Sequence, residues 1–255
     1  MSLFLVVASG LFGLLIGSFL NVCIHRLPQQ ASVTWPASHC TSCTRPLSWF
    51  ENVPVASWLV LRGRCRTCQA PISAMYPLVE LTTAIVFAGG VVVYGLSALA
   101  AVRLVFACAL IVLFAIDLRH RILPNVITLP GIGAGFLASW FLPPGWVSSL
   151  IGVLAGGGVL FGIAEVYYRV RGQEGLGMGD VKMLAMIGAF LGWPLMILTL
   201  VIASLTGSIV GVGLMVSGRG DMQAALPFGT FLALGALMAA VAGDPMLAWY
   251  LSFYP

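Results

Sequence analysis

Apolar runs of about twenty residues, separated by short polar breaks, occupy most of the chain. Crossing the hydrocarbon of a bilayer takes about 20 apolar residues in a helix. On that measure the pattern predicts spans near 3–24, 77–96, 98–117, 125–142, 147–168, 181–193, 195–216 and 226–242. The result is an all-α polytopic membrane protein of about eight helices. The break at Gly95 and Leu96 makes spans two and three a tight hairpin, and "PPGW" at 143–146 is a turn of the same kind. Span 181–193 is short: at 1.5 Å per residue it rises about 20 Å against a core of about 30 Å, and Pro194 follows it. A short helix bent at Trp193-Pro194 with a longer return fits the pattern; a re-entrant segment is the alternative.

One long polar segment, 25–76, interrupts the runs. It divides the chain into a first helix (1–24), a loop domain (25–76) and a membrane core (77–255). Within the loop, "LSWFENVPVASWLVL" is either an element lying on the bilayer interface, where tryptophan is favoured, or a small core for the loop itself. No internal repeat is evident.

Composition agrees with the pattern. The chain is 60% hydrophobic and 8% charged, against about 25% charged in soluble domains. No basic stripe with interleaved aromatics is present, which excludes nucleic-acid binding. The first run has no basic residue ahead of it and outlasts the roughly 7–15 residues of a signal-peptide core, so it reads as a retained span. Alternating eight spans from an outside N-terminus places Arg26, Arg45, Arg62, Arg64, Arg66, Arg119, Arg121, Arg169, Arg171, Lys182 and Arg219 in the cytoplasm. Only Arg103, of 12 basic residues, lies towards the other side. That bias predicts a cytoplasmic loop domain and an outside N-terminus.

The loop carries Cys40, Cys43, Cys65 and Cys68 as two C-x2-C pairs. Two thiolates two residues apart grip one face of a tetrahedral ion and a second pair completes it, which predicts a structural Zn2+. A cytoplasmic loop keeps thiols reduced, and Arg64 and Arg66 offset the charge of four thiolates. Redox disulfides, free thiols and an iron–sulfur centre are the alternatives. Cys23 and Cys108 lie inside apolar runs and read as small buried hydrophobes.

Ionisable residues at membrane depth are functional candidates, each requiring a partner. The chain has eight acids. Glu165 sits four residues before Arg169, and an i,i+4 ion pair accounts for it. Glu51, Glu174, Asp221 and Asp244 are in loops or turns, and Glu80 is about one turn inside span two. Asp117, in "FAIDLRHRILPN", and Asp180, in "GLGMGDVK", remain at the cytoplasmic ends of apolar runs. Two carboxyls within a few ångströms share one proton. Amide hydrolysis uses that split state: the carboxylate takes a proton from the attacking water and the acid protonates the developing oxyanion. Gly177 and Gly179 let backbone approach a substrate strand, and Lys182 either biases the pair or marks the membrane face. Two unrelated helix-end acids, with Asp180 as an N-cap, are the plain alternative. A proton-coupled transporter also uses intramembrane acids, but near the midplane on broken helices. A zinc-loop scaffold without chemistry is a third class.

The ordered set "GSFLNVCIHRLP", the cysteine quartet, "ENVPVASWLVLRGRC", "ISAMYPLVE", "DLRHRILPN", "GMGDVK" and "PFGTFLA" resembles the bacterial type IV prepilin leader peptidases, which are also N-methyltransferases. The likeness runs almost end to end. It implies intramembrane aspartic proteolysis at the cytoplasmic face of the inner membrane, with Asp117 and Asp180 as the catalytic pair. It implies a prepilin or pseudopilin substrate of type IV pili or type II secretion, lying in the lipid with its basic leader in the cytoplasm, cut after glycine. The new N-terminal residue is then methylated with S-adenosylmethionine, for which Glu80 is the candidate to hold a cation or the new amine. The family often has proline after the first cysteine; Thr41 stands there, and the ligand set is unaffected.

Overall fold

A computed structural model describes residues 2–172, 177–217 and 226–253. Arg219, Asp221 and Glu174 lie outside them. Among the described residues the helices are α1 (Leu3–Arg26), α2 (Ala56–Val60), α3 (Met75–Tyr94), α4 (Ala98–His120), α5 (Asn125–Ala138), α6 (Trp146–Arg171), α7 (Met178–Val216) and α8 (Phe228–Leu251). Six of them, all but α2 and α5, are long and apolar enough to cross a membrane. At 14 residues, α5 rises only about 21 Å. The expected spans 181–193 and 195–216 correspond to the two stretches of α7, which are separated by a non-helical Gly192. A count of eight separate crossings is therefore not confirmed by these lengths.

Two compact units make up the chain, residues 1–112 and 113–255. In the first, α1 lies along α3. A Cβ on Gly17 would stand 2.7 Å from the Glu80 Cα, so the backbones meet where only glycine fits. The Ser9 hydroxyl donates to the Phe87 carbonyl at 3.0 Å and the Asn21 amide to the Tyr76 carbonyl at 3.0 Å. The outer side of α1 exposes Leu11, Phe12, Leu15 and Phe19, the surface a helix in lipid presents.

In the second unit α7 is the centre, packed by α5, α6 and α8. Residues 183–192 are all buried, which explains why this stretch is apolar around its whole circumference: it faces protein on every side. The bend expected at Trp193-Pro194 falls one residue earlier. Gly192 has φ 77° and ψ 171°, breaking α7 into two helical stretches. Pro194 then stands in the first turn of the second stretch, where its missing N–H costs nothing.

Helices α6 and α7 cross with their backbones in contact. A Cβ on Gly152 would collide with the Gly188 carbonyl, and one on Gly156 would lie 2.8 Å from the Leu184 oxygen. Gly158, also in α6, faces open space. Gly152→Ala is thus expected to destabilise the unit by about 1–3 kcal/mol through overpacking, whereas Gly158→Ala should be neutral or stabilising by up to about 1 kcal/mol. Thermal unfolding of the two variants in detergent measures the contrast; equal midpoints would contradict the crossing geometry.

Candidate active site and metal centre

The loop between α1 and α3 is built from one turn used twice. In "HCTSCTRP" (39–46) the Cys40 N–H donates to the Arg45 carbonyl at 2.9 Å, and Thr44 N–H to the Cys40 carbonyl at 2.9 Å. In "RCRTCQAP" (64–71) Cys65 N–H donates to Ala70 at 2.9 Å and Gln69 N–H to Cys65 at 3.1 Å. Thr44 and Gln69 take the same left-handed backbone, φ 57° and 58°, and each turn is closed by an isolated antiparallel bridge, His39 to Pro46 and Arg64 to Pro71. The chain therefore does contain a repeat, of eight residues, which two shared cysteines and a proline are too few to reveal by sequence.

The two turns bring Cys40, Cys43, Cys65 and Cys68 together, with all four sulfurs within 4.8 Å of one another. A tetrahedral zinc at about 2.3 Å from each thiolate separates its sulfurs by about 3.8 Å. The Cys40 and Cys68 sulfurs are 3.8 Å apart. The donor set fits zinc in number, element and spacing. The backbone N–H groups of Cys68 and Thr67 pull the Cys65 thiol down to about 6, towards the thiolate a metal requires.

Around the centre, Arg45 binds Glu51 at 2.6 Å, and the Glu51 carboxylate also closes a capping box with Ser48. These donors, Arg45 first, hold Glu51 below the ordinary carboxylate range. Arg66 lies over the Phe50 ring, 5.5 Å from its centroid. The aromatic stretch divides its roles. The Trp58 indole covers Gly63 and donates to the Ile72 carbonyl at 3.1 Å, while Trp49 and Val60 are more than four-fifths exposed.

Glu80 is buried on α3. Its Oε2 accepts the Val55 N–H at 2.7 Å, and Ser18 and Asn21 also donate to its carboxylate. Val55 has φ 59° and ψ −51°, and Ala56 N–H reaches back to the Pro54 carbonyl. This is a tight turn that a β-branched residue adopts only under strain. Glu80 thus ties the loop to α1 and α3 at its most constrained point.

In the second unit three helix ends converge. Asp117 lies in the last turn of α4 and is 4% exposed. Arg121, φ 54°, donates its N–H to the Asp117 carbonyl at 2.9 Å and turns the chain out of the helix. Asp180 stands at the third position of α7. Its N–H donates to the Gly177 carbonyl at 3.0 Å, and its carboxylate accepts the Gly177 N–H. The N-cap expected at Asp180 is instead Gly177, and Asp180 reaches back to it from inside the first turn. Asp180 also lies within electrostatic reach of Asp117. Lys182 takes part differently, donating to the Asn125 side chain at 2.9 Å.

The third end belongs to α8. Thr230 donates to Asp117 Oδ2 twice, from its N–H at 2.7 Å and from its hydroxyl at 3.0 Å. Leu123 fills the space between the helix starts: a Cβ on Gly179 would lie 3.0 Å from the Leu123 Cβ, and one on Gly229 2.8 Å from its Cδ1. "PFGTFLA" carried no assigned role in the sequence. Its signal is a hydroxyl at the third position of an apolar helix that opens on proline.

Comparison with known proteins divides the chain at nearly the same place. Residues 11–94 match the Bacterial Peptidase A24 N-terminal domain, and residues 104–212 the Type IV leader peptidase family. The chain is 40% identical over 271 residues to the prepilin leader peptidase/N-methyltransferase of Aeromonas hydrophila, covering 95% of this chain and 92% of that one. The chain belongs to the type IV leader peptidase family. The Pseudomonas putida relative of the same description is 35% identical, over 96% of this chain and 93% of its own. That of Pseudomonas aeruginosa is 34% identical, over 97% and 94%. No solved structure matches. Asp117 and Asp180 both fall in the region matched to the leader peptidase family, and the cysteine quartet and Glu80 in the region matched to the A24 N-terminal domain.

Proposed function

We propose that this protein removes the basic leader of type IV prepilins or pseudopilins and N-methylates the residue thereby exposed. The observation that carries the peptidase half is the meeting of Asp117 and Asp180, from separate helices, at helix ends inside an otherwise apolar unit. Two acids so placed share a proton. The ionised carboxyl takes a proton from water as the water oxygen bonds to the scissile carbonyl carbon. The protonated carboxyl gives its proton to the carbonyl oxygen. The gem-diol adduct then collapses: the C–N bond breaks, the leaving nitrogen takes the proton held by the first acid, and one diol hydroxyl gives its proton to the second acid, restoring the pair.

The substrate class fits that position. A pilin precursor places one apolar helix in the bilayer and keeps its leader in the cytoplasm, so the bond after its glycine lies at the height of a helix end. The bias of basic residues puts the same ends of α4, α7 and α8 at the cytoplasmic face of the inner membrane, with the N-terminus outside. Both acids lie in terminal turns of helices, and the relatives are described as peptidases, so the transporter reading has no support.

Cys40, Cys43, Cys65 and Cys68 would hold a structural zinc that staples loop 25–76. S-adenosylmethionine would supply the methyl group. A sulfonium or a new amine calls for a carboxylate, and Glu80 is the proposed one; it would exchange one of its present donors for the cation. Incubating a prepilin with the purified protein and S-adenosylmethionine, then weighing the product, tests the whole reading. Loss of the leader after glycine with one methyl added is expected. An intact precursor would count against the peptidase, and a cleaved but unmethylated product against the methyl-transfer half.

A further inference from the structure

We propose that Thr230 is a positioning residue for Asp117, and that Asp117 Oδ1 is the oxygen that reacts. The inference rests on the peptidase reading and goes beyond it in naming the residue and the atom.

An aspartate side chain turns about two torsions, and a buried one has no water to hold it. Here the restraint comes from another helix. Thr230 is the third residue of α8, and N–H groups in the first turn of a helix lack a regular intrahelical acceptor. Its N–H makes only a 3.2 Å contact to the Pro227 carbonyl and the shorter one, 2.7 Å, to Asp117 Oδ2. The hydroxyl adds a second donor, 3.0 Å from the same oxygen. Two donors from one residue on one oxygen fix the plane of the carboxylate. The positive end of α8 also faces it.

The neighbouring residue shows how closely that oxygen is held. A Cβ on Gly229 would lie 3.0 Å from Oδ2 and 2.8 Å from Leu123, so any side chain there would press on the held atom. Gly229 and Thr230 together make a seat for Oδ2. With Oδ2 committed to two donors, proton exchange with water or with the substrate carbonyl falls to Oδ1. Thr230 acts through Asp117 and needs no contact with the substrate.

The test uses the full-length protein in detergent with a prepilin substrate, and compares Thr230→Val, Thr230→Ala and Thr230→Ser with Asp117→Asn. Rates are taken per folded molecule, with thermal unfolding measured alongside. Valine keeps the shape and loses the hydroxyl; alanine loses both; serine keeps the donor. Thr230→Val and Thr230→Ala are expected to lower kcat about 10- to 100-fold, the worth of one hydrogen bond to a charged group, with KM within about twofold. Thr230→Ser is expected to retain most of the rate. Wild-type kcat in the valine or alanine variant, serine as slow as alanine, or a loss confined to KM would each overturn the assignment. Should valine fail to fold, alanine against serine decides alone. If Asp117→Asn cleaves normally, the peptidase reading itself falls; if it is inactive while Thr230→Ala is not, only the role of Thr230 falls.

Discussion

Asp117→Asn and Asp180→Asn are each expected to abolish prepilin cleavage, by at least about 1,000-fold, while the protein stays folded in the membrane. General acid–base groups contribute about 100- to 10,000-fold each, and here each acid is needed for the other's protonation state. Asparagine can neither accept the proton of the attacking water nor donate one to the carbonyl as an acid. It does keep an oxygen of the same shape, so in Asp117→Asn the Thr230 N–H and hydroxyl retain an acceptor. In Asp180→Asn an amide oxygen can still take the Gly177 N–H. The thermal midpoint should therefore move little, separating chemistry from folding. Residues that act as a unit are not additive, so the double variant should be no slower than either single one. A pair sharing one proton also predicts a bell-shaped pH–rate profile whose two limbs belong to the pair. Processing at the normal rate in either single variant would remove the dyad.

The second large effect concerns the loop. Purified under reducing conditions, the protein should contain one zinc per chain, and Cys65→Ser should lose it. Cys65 is the most buried of the four sulfur residues, at 4% exposure, and its backbone anchors the second turn. Structural zinc in small domains is worth on the order of 10 kcal/mol. The other ties on the segment are individual polar contacts: the Arg45–Glu51 pair with its capping box, the Trp58 indole bond, Arg26 donating to the Ser32 and Pro36 carbonyls, and the Val55 N–H on Glu80. Residues 25–76 of the variant should accordingly become sensitive to protease while the membrane helices remain protected. Metal-free protein whose loop resists protease equally well would show that the cysteine cluster is not a zinc staple.

What local sequence can express was legible. The cost of leaving a backbone unpaired in lipid makes long apolar runs helices, and α1, α3, α4, α6 and α8 begin within two residues of the expected positions. Two C-x2-C pairs announce a tetrahedral centre because ligand spacing within a pair is a local matter. Asp117 and Asp180 stood out because an acid at a membrane boundary is expensive wherever it occurs. Less was legible where polar signals were weak. The bend in α7 was expected at Trp193-Pro194 because proline is the visible helix breaker, yet Gly192 makes the break, against Ser148 and Pro144 from the α6 side. Glu80 was read as a candidate to hold a cation or the new amine, with no sign in the sequence of the three donors from α1 and the loop that surround it.

By itself, then, the sequence determined the class of the protein, its helical runs, the four cysteines that cluster and the two acids that stand at the ends of apolar runs. Each of these depends on composition or spacing within a few turns of chain. The tertiary structure decided which groups meet: Gly152 against Gly188, Leu123 between Gly179 and Gly229, and Thr230 on Asp117, 113 residues away. Such pairings follow from how helices cross and in what register, and a glycine or threonine in an apolar run looks the same whether it faces lipid or a carboxylate.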